Sequence, residues 1–341
     1  MIQYLLVFLT AIGIAAVAMP VARRAAVRFG VMAIPSARRI NANPVPLLGG
    51  AAIWLAFVVT LAVFEGGAVV GAASIVLGAT LVTLVGLWDD RWGLKPWVKL
   101  AAQVLATGVV IVFGGVEISV LHNDVLNVLA TIAWVAVITN ALNLMDNMDG
   151  LAGGVAAWAA AFFFIIAVLT GQYLVAPLAA ALTGACIGFL YYNLRPQTHF
   201  MGDTGSLFLG FVLATVAIKL RFPPPYNTDT VTWMIPLIVL GVPLFDTTLV
   251  TLSRLRRHIP ITRGGRDHTS HRLVLLGYTR REAVLMLYLA AAILGVAALV
   301  VMQAQPLEAY VVGALVAGAG GGLLWRLEQV PLVDTNPHDP T

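Results

Sequence analysis

The stretch Asn140-Ala141-Leu142-Asn143-Leu144-Met145-Asp146-Asn147-Met148-Asp149-Gly150 puts three Asn and two Asp within ten residues of a chain that is 60% hydrophobic and 11% charged. An apolar run enters it from Val128, and another leaves it at Leu151. Polar side chains at the edge of a hydrocarbon core are costly unless they are used. The cluster therefore reads as a functional site between two membrane spans, with a plain polar turn as the alternative. A helical turn here would set Asn143, Asp146 and Asp149 on one broad face, because residues three apart are neighbours.

Outward from this stretch, apolar runs long enough to cross about 30 Å of hydrocarbon recur along the 341 residues, and the mean hydropathy is +0.92. An ordinary soluble domain is excluded. The runs lie near 2–22, 47–64, 68–87, 97–114, 124–142, 151–169, 174–192, 205–220, 231–252, 283–303 and 308–325. The expected fold is an all-α polytopic membrane protein of about eleven transmembrane helices. It forms one transmembrane bundle over 1–332, with a flexible cytoplasmic tail at 333–341. The first run has no basic lead-in and no small-residue cleavage site after it, so it is read as a retained span rather than a signal peptide. The lone Cys186 lies inside an apolar run and reads as a small packing residue.

Of the 20 Lys and Arg, only Lys219 and Arg221 fall in even-numbered connections or their flanks. The positive-inside rule then sets the N-terminus outside and the C-terminus in the cytoplasm. Trp88, Trp92 and Trp97 sit where an aromatic belt is expected. A net charge of +4 and a pI near 9.4 could point to nucleic acid, but charge confined to membrane-facing loops argues against it. The chemically interesting residues all lie on the predicted cytoplasmic side, which implies a cytoplasmic substrate.

Four further loops share that side. The first ends Pro44-Val45-Pro46-Leu47-Leu48-Gly49-Gly50, where prolines stiffen the approach and the Gly pair admits a close backbone neighbour. The second, Trp88-Asp89-Asp90-Arg91-Trp92, carries adjacent carboxylates that repel unless a cation joins them. Mg2+ suits such a place, since it binds one or two carboxylates plus substrate phosphates; a solvated, Arg-paired turn is the alternative. The fourth holds Phe200-Met201-Gly202-Asp203-Thr204-Gly205-Ser206, with Asp203 or Thr204 either capping the next helix or holding a metal beside a phosphate-binding helix start. The fifth, about 253–281, is the most basic and contains Gly264-Gly265-Arg266-Asp267-His268-Thr269-Ser270-His271-Arg272-Leu273. Lipid attraction accounts for part of that charge, and Arg forks suit a pyrophosphate. Zinc is disfavoured because no Cys or third His is near. Thr279-Arg280-Arg281-Glu282 reads as a capping box. Asp246 is acidic within a span that Pro236 and Pro243 are expected to kink, and reads as a proton relay or a partner that orients an Arg.

Taken in order, Trp88-Asp89-Asp90, Asn143-xx-Asp146-xx-Asp149-Gly150-Leu151, Phe200-Met201-Gly202-Asp203-xx-Gly205-Ser206, Pro243-xx-Asp246-Thr247 and Asp267-His268-xx-His271-Arg272-Leu273 resemble the motifs of the polyprenyl-phosphate N-acetylhexosamine-1-phosphate transferase superfamily. The likeness covers about 40–285 and is closer to the GlcNAc-1-phosphate transferases than to phospho-MurNAc-pentapeptide transferase. The latter carries a run of consecutive His in its last cytoplasmic loop, and Thr269-Ser270 interrupts that run here. Related GlcNAc enzymes often show His-x-His-His, and this chain has Ser270 at the middle position.

The resemblance implies transfer of N-acetylhexosamine 1-phosphate from a UDP-N-acetylhexosamine to undecaprenyl phosphate, with release of UMP, at a bacterial cytoplasmic membrane. Mg2+ is the implied cofactor, with Mn2+ as a substitute, on Asp203 or with Asp89, Asp146 or Asp149. Asp89, Asp90, Asp203, His268 and His271 are the implied catalytic residues. Asn143, Asp146, Asp149, Gly150, Asp246, Arg266 and Arg272 are the implied substrate-binding residues. Membrane lipids are expected partners and a homodimer is allowed. The competing reading from another class is a secondary transporter, which would put its polar groups near the midplane.

Overall fold

The computed structural model describes residues 1–34, 44–64, 70–195, 198–222, 231–262 and 264–332. The tail at 333–341, the connections at 65–69 and 223–230, and Arg38, Arg39, Asn43 and Arg263 lie outside the described residues. The chain runs α1 (Ile2–Phe29), β1 (Met32–Ala33), β2 (Val45–Pro46), α2 (Gly49–Phe64), α3 (Val70–Trp92), α4 (Pro96–Gly114), α5 (Asp124–Met145), α6 (Leu151–Leu169) and α7 (Val175–Asn193). It continues through α8 (Gly202–Lys219), α9 (Met234–Val239), α10 (Gly241–Arg256), α11 (Thr269–Leu275), α12 (Arg280–Gln303) and α13 (Pro306–Glu328). The two short strands pair antiparallel, Met32 opposite Pro46 and Ala33 opposite Val45.

The protein is an all-α polytopic membrane protein. Among the described residues, nine helices are long and apolar enough to cross a membrane: α1, α3 to α8, α12 and α13. Two of the eleven expected spans fall short of that length. α2 has 16 residues, and the run at 231–252 is broken into α9 and α10. The break falls at Leu240, between the two prolines expected to kink this run. Pro243 has no N–H with which to continue the ladder, and the chain restarts with Leu244 N–H donating to the Leu240 carbonyl. α1 runs past its predicted end to Gly30, which takes a left-handed φ of 67°, so Arg23, Arg24 and Arg28 are carried on helix rather than loop. The capping box foreseen at Thr279 is present, with Thr279 and Glu282 exchanging side-chain-to-backbone bonds.

α8 is the innermost helix. It packs on α3, α5, α2 and α6, and its residues from Thr204 to Ile218 are buried without interruption. In water a helix apolar all round belongs in a core; in a membrane the same pattern means a helix enclosed by other helices. Small residues let those neighbours close in. Gly50 of α2 lies against the backbone of Gly205, and a Cβ on Gly86 of α3 would come within 2.5 Å of the Asp203 carbonyl. The first loop thus holds α2 against the start of α8, as its Gly pair implied. Gly49 and Gly50 N–H donate to the Phe200 and Met201 carbonyls at 3.0 and 2.9 Å.

Gly50→Leu should force α2 off α8, an overpacking cost of about 1–3 kcal/mol or more. The detergent-solubilised variant is expected to melt several degrees lower by tryptophan fluorescence, whereas Gly108→Leu, with nothing within 4 Å of its added Cβ, should lose less.

Candidate active site

The site begins where α3 ends and α8 begins. Helix N-termini leave backbone N–H groups without partners, and α8 supplies no side-chain cap of its own. Asp90 of α3 fills that role. Its Oδ1 accepts from Asp203 N–H at 2.8 Å, and its Oδ2 accepts from Thr204 N–H at 3.0 Å and Thr204 Oγ1 at 2.6 Å. Neither Asp203 nor Thr204 is the cap, so that expectation is corrected. The turn requires Gly202 at φ 71°, where a side chain would strike the Leu47 carbonyl and the Asp90 carboxylate. With Asp90 on the backbone, the Asp203 side chain is left partly exposed, at 26%.

Asp89 points elsewhere. Its Oδ1 accepts from Leu94 N–H, and its Oδ2 accepts from Lys99 Nζ of α4 at 2.9 Å. The same ammonium donates to Asp203 Oδ2 at 2.6 Å. The adjacent carboxylates of the second loop are therefore divided between two tasks, and the cation present is Lys99 rather than an Arg. Lys99 was read from the sequence only as a topology charge. Its one local signal is a lysine placed three residues after Pro96, inside an otherwise apolar run.

The Asn-rich stretch closes a second side. Asn143 Nδ2 donates to Ser206 Oγ at 2.9 Å, which ties the end of α5 to α8. Asp146 follows directly on α5. Burial first, and then the charges on Asp203, Asp90 and Asp149, push its carboxyl up to about 8. Asn147 Oδ1 accepts from Ser270 Oγ at 2.6 Å, which joins this loop to α11. Gly150, at φ 83°, donates its N–H to Asn193 Oδ1 at 2.6 Å and accepts from Tyr288 Oη at 2.5 Å. Both backbone groups are taken, so Gly150 shapes the wall and has no polar group left for a ligand.

The basic loop is built on buried ion pairs. Arg254 grips Asp267 through two bonds of 2.8 Å. Burial opposes ionisation of Asp267, but Arg254 outweighs it and holds the carboxyl below its usual range. Arg272 is fully buried and donates to the Asp267 carbonyl, the Leu327 carbonyl and Ser253 Oγ at 3.0, 2.6 and 2.7 Å. It fastens α11 to α10 and α13, and it is not free to hold a diphosphate as the motif implied. Asp246 is buried and orients an imidazole, not an Arg. Its Oδ2 lies 2.8 Å from His268 Nδ1, and its Oδ1 accepts from Thr269 N–H at 2.7 Å. His271 lies beside His268, with ring centroids 6.0 Å apart. Burial, then the positive charges of His268 and Arg266, lower His271 to about 4. Arg266 is exposed at the rim.

The structure thus gathers Asp89, Asp90, Asp203, Asn143, Asp146 and Lys99 at one end of the bundle. The α11 loop joins them through Ser270 and Asn147. Among the described residues, no three His, Cys, Asp or Glu side chains stand close enough to hold a metal by themselves. Mg2+ does not need three, since one or two carboxylates serve when phosphates and water complete the shell. The donor set fits it: all-oxygen, part-exposed at Asp203, with further carboxyl groups on Asp89 and Asp146 beside it.

These features define a polytopic membrane protein with a charged site at one end of its helix bundle. Residues 72–221 match the family model of glycosyl transferase family 4. The chain is 30% identical over 313 residues to a probable undecaprenyl-phosphate N-acetylglucosaminyl 1-phosphate transferase of Bacillus subtilis, covering 89% of this chain and 86% of the relative. It is 32% identical to a decaprenyl-phosphate N-acetylglucosaminephosphotransferase of Mycolicibacterium smegmatis, over 77% and 73% of the two chains. It is 27% identical to an undecaprenyl-phosphate alpha-N-acetylglucosaminyl 1-phosphate transferase of Escherichia coli, over 80% and 77%. The chain belongs to glycosyl transferase family 4.

Asp90→Asn leaves an amide that cannot accept all three bonds at the start of α8. The expected loss is about 1–3 kcal/mol, read as a lower melting temperature that Asp89→Asn should not match. A pH effect of definite sign follows from His271. Its folded pKa lies near 4 against 6.5 for the free side chain. The stability it contributes is complete above 6.5 and is lost as pH falls from there toward 4, by on the order of 2–3 kcal/mol. Asp146, raised from 3.8 to about 8, slopes the other way over the same window. The measurement is therefore a difference: His271→Gln should melt less steeply than the parent between pH 6.5 and 4.

Proposed function

We propose that this chain transfers N-acetylglucosamine 1-phosphate from UDP-N-acetylglucosamine to undecaprenyl phosphate or a close polyprenyl phosphate, with release of UMP. In this reading an oxygen of the acceptor phosphate attacks the sugar-linked phosphorus. The bond from that phosphorus to the bridging oxygen breaks, and that oxygen leaves on UMP. The observation that carries the reading is the pair Asp89 and Asp203, brought from separate helices to one ammonium beside Asp146, in a chain whose relatives are named for this transfer.

The acceptor is a phosphate monoester, whose second pKa near 6 leaves it largely dianionic at neutral pH. No base has to create the nucleophile. The difficulty is to bring it against a diphosphate of the same sign, so positioning and charge neutralisation carry the catalysis. Mg2+ bound at Asp203 would neutralise the diphosphate and align it for in-line displacement. Lys99 can reach a phosphate oxygen from the position between Asp89 and Asp203. Asn143 and Asp149 line the pocket for the nucleotide and sugar. His268, held through its Nδ1 by Asp246, presents its Nε2 edge, while neutral His271 and exposed Arg266 border the diphosphate. We place the site on the cytoplasmic face of a bacterial inner membrane, on the support of the Lys and Arg distribution. The prenyl tail stays in the surrounding hydrocarbon.

Purified protein given UDP-N-acetylglucosamine, undecaprenyl phosphate and Mg2+ should release UMP. A panel of other UDP-N-acetylhexosamines should do so more slowly. Asp203→Asn should lower the rate at least about a hundredfold without lowering the melting temperature by more than a few degrees. Absence of UMP with every UDP-sugar in the panel would sink the proposal.

A further inference from the structure

We propose that Lys99 is a built-in counter-cation. Its ammonium holds the Asp89 and Asp203 carboxylates together, and a divalent cation that bridges those two carboxylates displaces it toward the substrate phosphates. The inference rests on the site reading above.

Of the three groups, only the ammonium sits at the end of a long stem. Asp89 is fixed on its Oδ1 side by Leu94 N–H, and the backbone carrying Asp203 is fixed by Asp90. Between them, the Lys99 ammonium bonds to one oxygen of each, 2.9 Å from Asp89 Oδ2 and 2.6 Å from Asp203 Oδ2. It sits at the end of a four-carbon stem rooted in the first turn of α4. All three side chains keep some exposure, 18% for Lys99, 14% for Asp89 and 26% for Asp203, so a hydrated ion can reach the pair.

Mg2+ binds carboxylate oxygen at about 2.0–2.1 Å. An ion bridging Asp89 Oδ2 and Asp203 Oδ2 would take the place the ammonium now holds, and two cations cannot share that place at such distances without strong repulsion. The compact ammonium on a flexible stem can swing away, which a guanidinium fork is less suited to do. Lys99 alone does not balance the cluster. Asp89, Asp90 and Asp203 bring three carboxyl groups against one ammonium, so the site still draws a divalent cation. The arrangement therefore makes metal binding weak without substrate and strong with it, because the incoming phosphates give the displaced ammonium a new partner.

The test uses Mn2+ alone, with no nucleotide or lipid, on the full-length protein in detergent. Binding is followed by loss of the free-ion paramagnetic resonance signal. Lys99→Gln should bind Mn2+ about tenfold more tightly than the parent, and Lys99→Arg should not. Asp203→Asn in the Lys99→Gln background should abolish the gain. Equal or weaker binding by Lys99→Gln overturns the proposal.

If Lys99→Gln does not fold, the parent protein still decides. Acetylation of Lys99 by a succinimidyl ester, read by peptide mass spectrometry, should speed up several-fold when Mn2+ is added. Exposed Lys95 serves as the internal reference. Unchanged or slower labelling of Lys99 overturns the proposal. Because neither readout requires turnover, failure here is separate from failure to release UMP.

Discussion

Asp90 binds the first turn of α8 from a different helix, and the rest of the site depends on that contact. A buried helix start without a partner would leave several N–H groups unsatisfied at the membrane edge, a cost of several kcal/mol in total. A carboxylate is the natural remedy, because it accepts strongly and meets the positive end of the helix dipole. Having it come from α3 fixes α3 and α8 in register. Gly86 and Gly202 permit the approach, and the register brings Asp89, one residue earlier, toward Lys99 and Asp203. The acidic pair of α3 therefore serves architecture through one member and the site through the other.

Much of the fold was legible because it depends on local, periodic features. Apolar runs of membrane-spanning length need no partner to be recognised, and neither does the Thr279 capping box, whose two residues are three apart. Gly50 was readable as a close-approach point, though not what would approach it. The candidate site was legible as a set of unusual polar residues but not as a geometry. The bond from Thr204 to Asp90 joins positions 114 apart in the chain, and nothing near either residue announces the other. Lys99 was hidden because in a membrane protein a lysine near a span end is already explained by topology. The break at Leu240 was foreshadowed by two prolines, yet whether a proline kinks or divides a helix depends on what packs around it.

The basic loop shows the opposite failure. Its arginines look in sequence like a solvated surface for phosphates or lipid. Arg254 and Arg272 are instead among the most deeply buried large side chains of the protein. A guanidinium can be buried when its donors all find acceptors, and both are placed that way. They use Asp267, the Leu327 carbonyl and Ser253 to hold α11 onto α10 and α13, and α11 in turn carries the His268 and His271 pair to the carboxylate end. Their donors are used inside the protein, so the positive character of the loop overstates what it offers a ligand.

What remains for a ligand is a site of net acidic character. Among the described residues, the ammonium bonded to its carboxylates is that of Lys99, while Arg266 is exposed on the adjoining loop and His271 is neutral at physiological pH. The substrates proposed for it are themselves anionic at both reacting ends. Like charges at close range cannot be gathered by side-chain geometry alone, so such a site works only when positive charge arrives with the substrate or is released inside the pocket. Asp146 feels part of the same imbalance, since burial first and then the charges on Asp203, Asp90 and Asp149 push its carboxyl up to about 8. A divalent cation would relieve both problems at once. In the proposed reading it would favour the ionised form of Asp146 and free the Lys99 ammonium for the phosphates, so that the excess of carboxylates would serve the transfer.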